Sequence, residues 1–168
     1  MGLDITAYRQ VWAAPDCAKG DDGYLEDYDS FFRVYNIVDF QSRAAPLEEG
    51  ACYGFEESMD FRAGSYSGYG EWRNELARIA GYLAHPAATR HPYSEGAWAA
   101  LSGPFWELIN FADNEGVIGS TVAAKLAADF AAMDAKAMQT TELWFYELYR
   151  TWRRAFEMAA DSGAVSFH

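Results

Sequence analysis

The chain has 168 residues, of which 51% are hydrophobic and 17% aromatic, and its formal net charge is −12 at pH 7. This length and this apolar content fit one folded domain, residues 1–168, and exclude a disordered chain. Residues 1–60 hold 13 acids against 4 bases, and such a negative field excludes general binding to nucleic acid or to an anionic membrane. The surplus of aromatic side chains predicts an aromatic-lined site and leaves a homo-oligomer interface open.

The cysteines and the termini indicate a compartment. Cys17 and Cys52 can form at most one bridge, whereas small secreted scaffolds usually carry four or more cysteines. The opening MGLDITAYRQ lacks the basic and apolar regions of a signal peptide. No window approaches the ~18 uninterrupted apolar residues that a membrane helix needs. We therefore expect a cytoplasmic protein in a reduced compartment.

The first half of the chain reads as strands and loops. Alternating apolar side chains predict a strand over residues 3–11, and a dense run of aromatic and β-branched residues predicts a buried strand over residues 31–40. Residues 15–30 and 41–50 are typical of loops. Residues 52–65 look like another extended segment that ends in glycines.

The second half changes to a helical period. Apolar side chains recur on one face in three segments, which predicts helices over residues 69–84, from 120 or 121 onward, and from 140 or 141 to a left-handed cap at Gly163. Two shorter helices are expected over residues 95–101 and, with Pro104 as the first residue, over residues 104–111. Residues 113–119 read as a turn, and the closing AVSFH as a returning strand. The predicted fold class is therefore α+β: a small, mainly antiparallel sheet in the N-terminal half, packed against a C-terminal set of amphipathic helices.

Motifs for known chemistries are missing. Arg73 stands where the dinucleotide fingerprint needs a small residue, and no glycine loop ends in Lys-Ser or Lys-Thr. The histidines His85, His91 and His168 lack the close partners that zinc requires. DNEG at residue 113 is not followed at the right distance by the Glu of a calcium loop. We expect no metal and no cofactor.

The segment AGSYSGYGEWR, residues 63–73, is the strongest positive feature. Its glycines and serines precede a predicted helix, so backbone N–H groups and the helix dipole could hold an anion. Aromatic rings could stack on a planar ligand, and flanking arginines could bind phosphate. The candidate ligand-binding residues are Arg62, Ser65, Tyr66, Ser67, Tyr69, Trp72 and Arg73. The alternative is a Gly/Ser turn with a serine cap and ordinary core aromatics.

Four segments carry a resemblance to a known group of proteins. MGLDITAY, AGSYSGYGEWR, PFWELINFADNEGVIG and FEMAADSGAVSFH together resemble a family of small uncharacterised proteins encoded by bacteriophages and prophages. The resemblance spans nearly the whole chain and implies a bacterial host cell. It implies no activity and assigns no residue a role.

Three functions are compatible with these observations. The favoured hypothesis is a non-enzymatic counter-defence protein that sequesters a nucleotide-derived small molecule, such as a cyclic nucleotide or an ADP-ribose-type signal, in the pocket of residues 63–73. The second is an acidic inhibitor of a host protein, steered by its N-terminal third. The third is a small hydrolase that uses paired carboxylates, Glu48 with Glu49 or Glu56 with Glu57.

Overall fold

The computed structural model describes residues 2–17, 25, 27–35, 38–111, 116–140 and 142–168. The strands in these ranges are β1 (Gly2–Ala13), β2 (Phe31–Arg33), β3 (Cys52–Ser65), β4 (Gly116–Gly119) and β5 (Ala164–Phe167). The α-helices are α1 (Tyr66–Ala80), α2 (Pro92–Ala100), α3 (Trp106–Ile109), α4 (Ser120–Ala137) and α5 (Leu143–Ala159). A 3₁₀ helix spans Val38–Ala44.

In the described ranges the five strands form one antiparallel sheet in the order β2-β3-β1-β5-β4. The long antiparallel pair of β1 and β3 forms its centre. Strand β5 returns from the end of the chain to pair with β1 on one side and with β4 on the other. The α+β class and the antiparallel sheet predicted from the sequence are confirmed.

The two faces of the sheet have different covers. Alternate residues of β1, such as Leu3, Ile5 and Ala7, are buried beneath the helices together with Val165 and Phe167 of β5. The opposite face carries a smaller apolar cluster of Tyr8, Phe32, Val34, Ala44, Tyr53, Val117 and Ala164. Because successive side chains of β1 point to opposite faces of the sheet, they divide between a helix-covered core on one face and a loop-covered core on the other.

Two expectations for the N-terminal half need correction. The strand expected over residues 31–40 stops at Arg33, and a 3₁₀ helix begins at Val38; residues 36–37 lie outside the described residues. The cysteines do form a disulfide, between Cys17 and Cys52. Because such bridges persist in oxidising surroundings, the cysteines do not support the expectation of a reduced compartment. No helix in the described ranges is long and apolar enough to cross a membrane.

Helix starts and ends also differ from the sequence-based expectation. Helix α1 spans Tyr66–Ala80 rather than residues 69–84. Helix α2 begins at Pro92. Helix α3 covers only Trp106–Ile109 and starts after Phe105, which has a left-handed φ of 57°. A turn is expected over residues 113–119, but residues 116–119 form strand β4. Residues 113–115 lie outside the described ranges.

The end of α5 is closed by close packing rather than by a glycine cap. Ser162 has the left-handed conformation, with φ 51°, in place of the expected Gly163. A Cβ at Gly163 would lie 1.9 Å from the carbonyl oxygen of Tyr8. Glycine is therefore needed at position 163 so that the chain can pass β1 before it forms β5.

Candidate functional site

The segment of residues 63–73 is not a loop. Strand β3 runs through Ser65, and α1 begins at the next residue. Ser65 caps the helix, its Oγ accepting a hydrogen bond from the backbone N–H of Gly68 at 3.1 Å, and lies 3.1 Å from Ser67 Oγ. Tyr66 is exposed. The serines therefore serve the helix terminus, as the structural alternative expected.

Arg62 lies at the edge of this segment. Its side chain is exposed, and Nη1 lies 3.4 Å from a carboxylate oxygen of Asp4 on the neighbouring strand. An exposed pair of this kind contributes at most about 1 kcal/mol. None of the residues Arg62, Ser65, Tyr66 and Ser67 lines either of the clefts described below.

Tyr69 and Trp72 belong to the core. Both side chains are fully buried. The two rings stack on each other at 6.2 Å and on Trp152 of α5 at 5.8 and 5.6 Å. A ring covered in this way offers no face to a ligand, so the structure does not support the stacking role expected for either residue.

Among the predicted residues, Arg73 lines the first of two clefts that described residues form. Its guanidinium lies 4.5 Å from the ring centre of Tyr69. Nη1 donates hydrogen bonds to the carbonyl oxygens of Ile109 at 3.1 Å and Phe111 at 2.6 Å. The charged group is therefore held in one orientation by the segment after α3, with the cleft beside it.

The cleft has a volume of about 530 Å³ and lies between α1, α2 and α3. Gly70 and Arg73 of α1 form one wall, and Ile109 and Asn110 another. The remaining lining residues are Phe40, His91, Ser94, Glu95 and Trp98. This volume falls within the range of about 300–1,000 Å³ that small-molecule sites occupy.

Helix α2 is fixed against α1 by a side-chain cap. Asn74 Oδ1 of α1 accepts hydrogen bonds from the backbone N–H groups of Tyr93 at 2.9 Å and Ser94 at 3.3 Å. Gly70 allows the close approach, because a Cβ there would lie 3.1 Å from His91 Nε2. The wall formed by His91 and Ser94 is therefore built before any ligand arrives.

Three residues that line this cleft also carry buried polar atoms. Arg73 Nε, Ser94 Oγ and Asn110 Nδ2 are closed to solvent and have no hydrogen-bond partner in the described part of the protein. Asn110 is only 5% exposed. Leaving such a group unsatisfied costs about 1–3 kcal/mol. The polar side chains of Arg73, Ser94 and Asn110 therefore lie beside the cleft, although these three atoms do not face it.

The mouth of the cleft combines an aromatic ring with a carboxylate. Trp98 lines the cleft and is 56% exposed, so its indole is accessible to a ligand. Glu95 lies one turn before Trp98 on α2 and can accept hydrogen bonds from hydroxyl or amino groups. No local sequence motif indicates the lining residues of this cleft, because α1, α2 and α3 contribute them separately.

A second cleft, of about 730 Å³, lies on the opposite face of the sheet. Tyr8, Phe32, Tyr35, Ser166 and His168 are among its lining residues. Burial raises the pKa of Tyr8 to about 12 and raises that of Tyr35, and it lowers the pKa of His168. The Tyr35 hydroxyl donates a 2.7 Å hydrogen bond to the Phe167 carbonyl oxygen. The side chains of Tyr8, Tyr35 and His168 are therefore neutral near pH 7, and the hydroxyl of Tyr35 is also bonded to the sheet.

The paired carboxylates lie on the surface. Glu56 and Glu57 both lie near Arg9, at 3.6 and 2.9 Å, and Glu49 accepts a hydrogen bond from Gln41. Exposed pairs of this kind keep both carboxylates hydrated, whereas a catalytic pair needs burial to shift its pKa values. Within the ranges that the structure describes, no group of three potential metal ligands is present.

Comparison with known proteins gives no further guide. Neither the protein-family models, nor the curated proteins, nor the solved structures contain a match to this chain.

Proposed function

We propose that this protein binds a nucleotide-type small molecule in the cleft between α1, α2 and α3 and acts by withholding it. The observation that carries this proposal is that one cleft is lined by a fixed arginine, by two further polar side chains and by an accessible indole, namely Arg73, Ser94, Asn110 and Trp98. A guanidinium beside hydroxyl and amide groups suits the oxygens of a phosphate or a carboxylate.

The remaining lining residues suit the other parts of a nucleotide. The exposed indole of Trp98 supports stacking with a base, which contributes about 1–3 kcal/mol in comparable sites. Glu95 can accept hydrogen bonds from ribose hydroxyls or an exocyclic amine. The phosphate, the sugar and the base of the ligand would then extend in this order from Asn110 to the mouth of the cleft.

Capture needs no catalytic group, and none is assigned. Ser94 Oγ forms no hydrogen bond within the described residues, to His91 or to any other base, whereas an activated serine needs a base within about 3.2 Å. The resemblance to phage-encoded proteins supports a counter-defence role, in which the ligand is a signal of the infected bacterial cell.

The test is a thermal-shift and calorimetric screen with a cyclic mononucleotide, a cyclic dinucleotide and ADP-ribose. A ligand at a hundred times its Kd stabilises the protein by about 2.7 kcal/mol. Trp98→Ala should weaken binding at least about fivefold through lost stacking. Trp144→Ala, which removes another exposed tryptophan far along the chain on α5, is the matched control and should bind normally.

Two outcomes would contradict the proposal. One is a flat screen, which would favour the acidic inhibitor of a host protein. The other is equal ligand affinity in Trp98→Ala and Trp144→Ala, which would place the binding site elsewhere.

A further inference from the structure

Glu95 and Trp98 form an accessible pair at the mouth of the first cleft. Both residues line the cleft and are exposed. They lie one turn apart on α2, and this spacing places two Cβ atoms about 5–6 Å apart on the same side of a helix. Within the described residues, the Glu95 carboxylate forms no hydrogen bond and no ion pair, and the Trp98 ring stacks on no other ring. Both side chains are therefore available to a ligand.

The helix that carries this pair is held in place on its other side. Gly96 lies between the two residues in sequence, and a Cβ there would lie 1.8 Å from the carbonyl oxygen of Leu83. The next residue, Ala97, is fully buried. Asn74 of α1 caps the start of the same helix. Glu95 and Trp98 are therefore positioned before a ligand binds, which lowers the entropy cost of binding.

A carboxylate distinguishes the bases by their hydrogen-bond donors. An ionised Glu has two oxygens that only accept hydrogen bonds. Guanine carries two adjacent donors on its Watson–Crick edge, N1–H and the 2-amino group. Adenine and cytosine carry one amino group beside a ring nitrogen that accepts, and uracil carries one N–H between two carbonyl oxygens. The acceptors of these three bases face a carboxylate unfavourably, so the pair of oxygens on Glu95 matches guanine best.

Resting on the proposed function, we propose that the cleft selects guanine nucleotides. The base stacks on Trp98 while its N1–H and 2-amino group donate to the two carboxylate oxygens of Glu95. Bases outside a double helix are commonly recognised by this combination of stacking and hydrogen bonds to the Watson–Crick edge. Glu95 is then the residue that determines base specificity, and Trp98 contributes affinity for any base.

Calorimetric titration with matched nucleotides tests this selectivity. The probes are guanosine, inosine and adenosine, each as the 3′,5′-cyclic monophosphate and as the 5′-monophosphate, together with the cyclic dinucleotides of guanosine and of adenosine. In each phosphate class that binds, the guanine form should bind at least about tenfold more tightly than the adenine form, the usual effect of hydrogen bonds to a charged group. Inosine keeps N1–H but lacks the 2-amino group, so its affinity should lie between the two.

Glu95→Gln is the decisive variant, because it replaces one acceptor oxygen by an NH₂ donor. An amide pairs with the adenine edge, which has one donor and one acceptor, better than with the two donors of guanine. The variant should weaken guanine binding at least about fivefold without weakening adenine binding, and so remove the preference. The matched control is Glu147→Gln, which neutralises an exposed carboxylate of α5, a helix outside the cleft lining. It should leave the ratio of affinities unchanged.

The outcomes separate this inference from the proposed function. The inference is overturned, and the proposed function stands, if an adenine nucleotide or ADP-ribose binds at least as tightly as the guanine nucleotides and is weakened by Trp98→Ala. A guanine preference that survives Glu95→Gln, or that both glutamine variants reduce equally, also overturns the inference. If no nucleotide binds, the proposed function fails with it.

Discussion

Ser94 and Asn110 show how the cleft can cost stability in the free protein. Each carries a buried polar atom that the described residues leave unsatisfied, and Asn110 also follows α3 as its terminal residue. Proteins keep such groups where a ligand satisfies them, so binding and stability oppose each other at these positions. A substitution that removes only the polar atom should separate the two effects.

Ser94→Ala is that substitution. The backbone N–H of Ser94 keeps its bond to Asn74, and alanine favours the helix, so the free energy of unfolding should be unchanged or about 0.5 kcal/mol higher. Ligand affinity should fall about two- to tenfold through the lost hydrogen bond. Ser67→Ala, outside the cleft, should not alter affinity. Denaturant titration and calorimetry measure both quantities, and a destabilised Ser94→Ala that binds normally would contradict the account.

At this scale the sequence predicted one residue of the cleft and could not predict its partners. Arg73 is expected as a phosphate partner because it and Arg62 bracket the Gly/Ser segment, and it lines the cleft. The same segment assigns Tyr69 and Trp72 a stacking role. Both rings are instead buried against Trp152 of α5, and the local motif does not show this contact between two helices.

The packing of helix α5 is predicted in part. The spacing of apolar residues places Trp144, Leu148, Trp152, Ala155, Phe156 and Ala159 on one face. The last four of these are buried, whereas Phe145 and Tyr149 take the buried positions in the first turns of the helix and Trp144 is 45% exposed. Trp152 stacks on Phe156 at 5.7 Å as well as on Tyr69 and Trp72. The helix is therefore joined to α1 by a continuous aromatic cluster.

Trp152→Ala should lower the free energy of unfolding by about 3–5 kcal/mol, the usual cost of deleting a large buried aromatic side chain. Trp144→Ala on the same helix removes a tryptophan that is 45% exposed and should cost less than about 1 kcal/mol. Urea unfolding of the two variants is the measurement. Equal destabilisation would mean that α5 packs with another face against the sheet.

Element ends were harder to predict than element types. The second strand was placed over residues 31–40 because its aromatic and β-branched residues favour extended structure, yet β2 ends at Arg33. The start of α1 was placed after the glycines and serines, although Ser65 caps the helix directly from β3. Tertiary contacts override local preference at such boundaries.

For the whole molecule, the disulfide joins two distant parts of the chain. Cys17 and Cys52 are 35 residues apart, and the bridged segment includes β2, the 3₁₀ helix and Phe40 of the cleft. Closing a loop of this length restricts the unfolded chain.

Reduction of the bridge should therefore lower the free energy of unfolding by about 4 kcal/mol. Thermal unfolding with and without a reductant measures the effect. The Cys17→Ser/Cys52→Ser double variant serves as the control. Its melting temperature should equal that of the reduced wild type and should not change when the reductant is added. A wild type indifferent to reductant would show that the bridge does not form in solution.

The order of strands first and helices later was enough to predict the α+β class, because strands that follow closely in sequence usually pair with each other. The same order does not predict the cleft. Its walls come from three helices and from Phe40 of the 3₁₀ helix, and the cap that Asn74 supplies to α2 exists only once α1 and α2 have met.

The side-chain amide of Asn110 reports most directly on the central claim, that a nucleotide-type ligand occupies the cleft that Asn110 lines. Titration of ¹⁵N-labelled protein with the nucleotide that binds in the calorimetric screen should move the Nδ2 resonance of Asn110 saturably, with the Kd found by calorimetry, because the ligand binds beside that amide. An Asn110 resonance that stays fixed while the protein saturates with ligand would contradict the account.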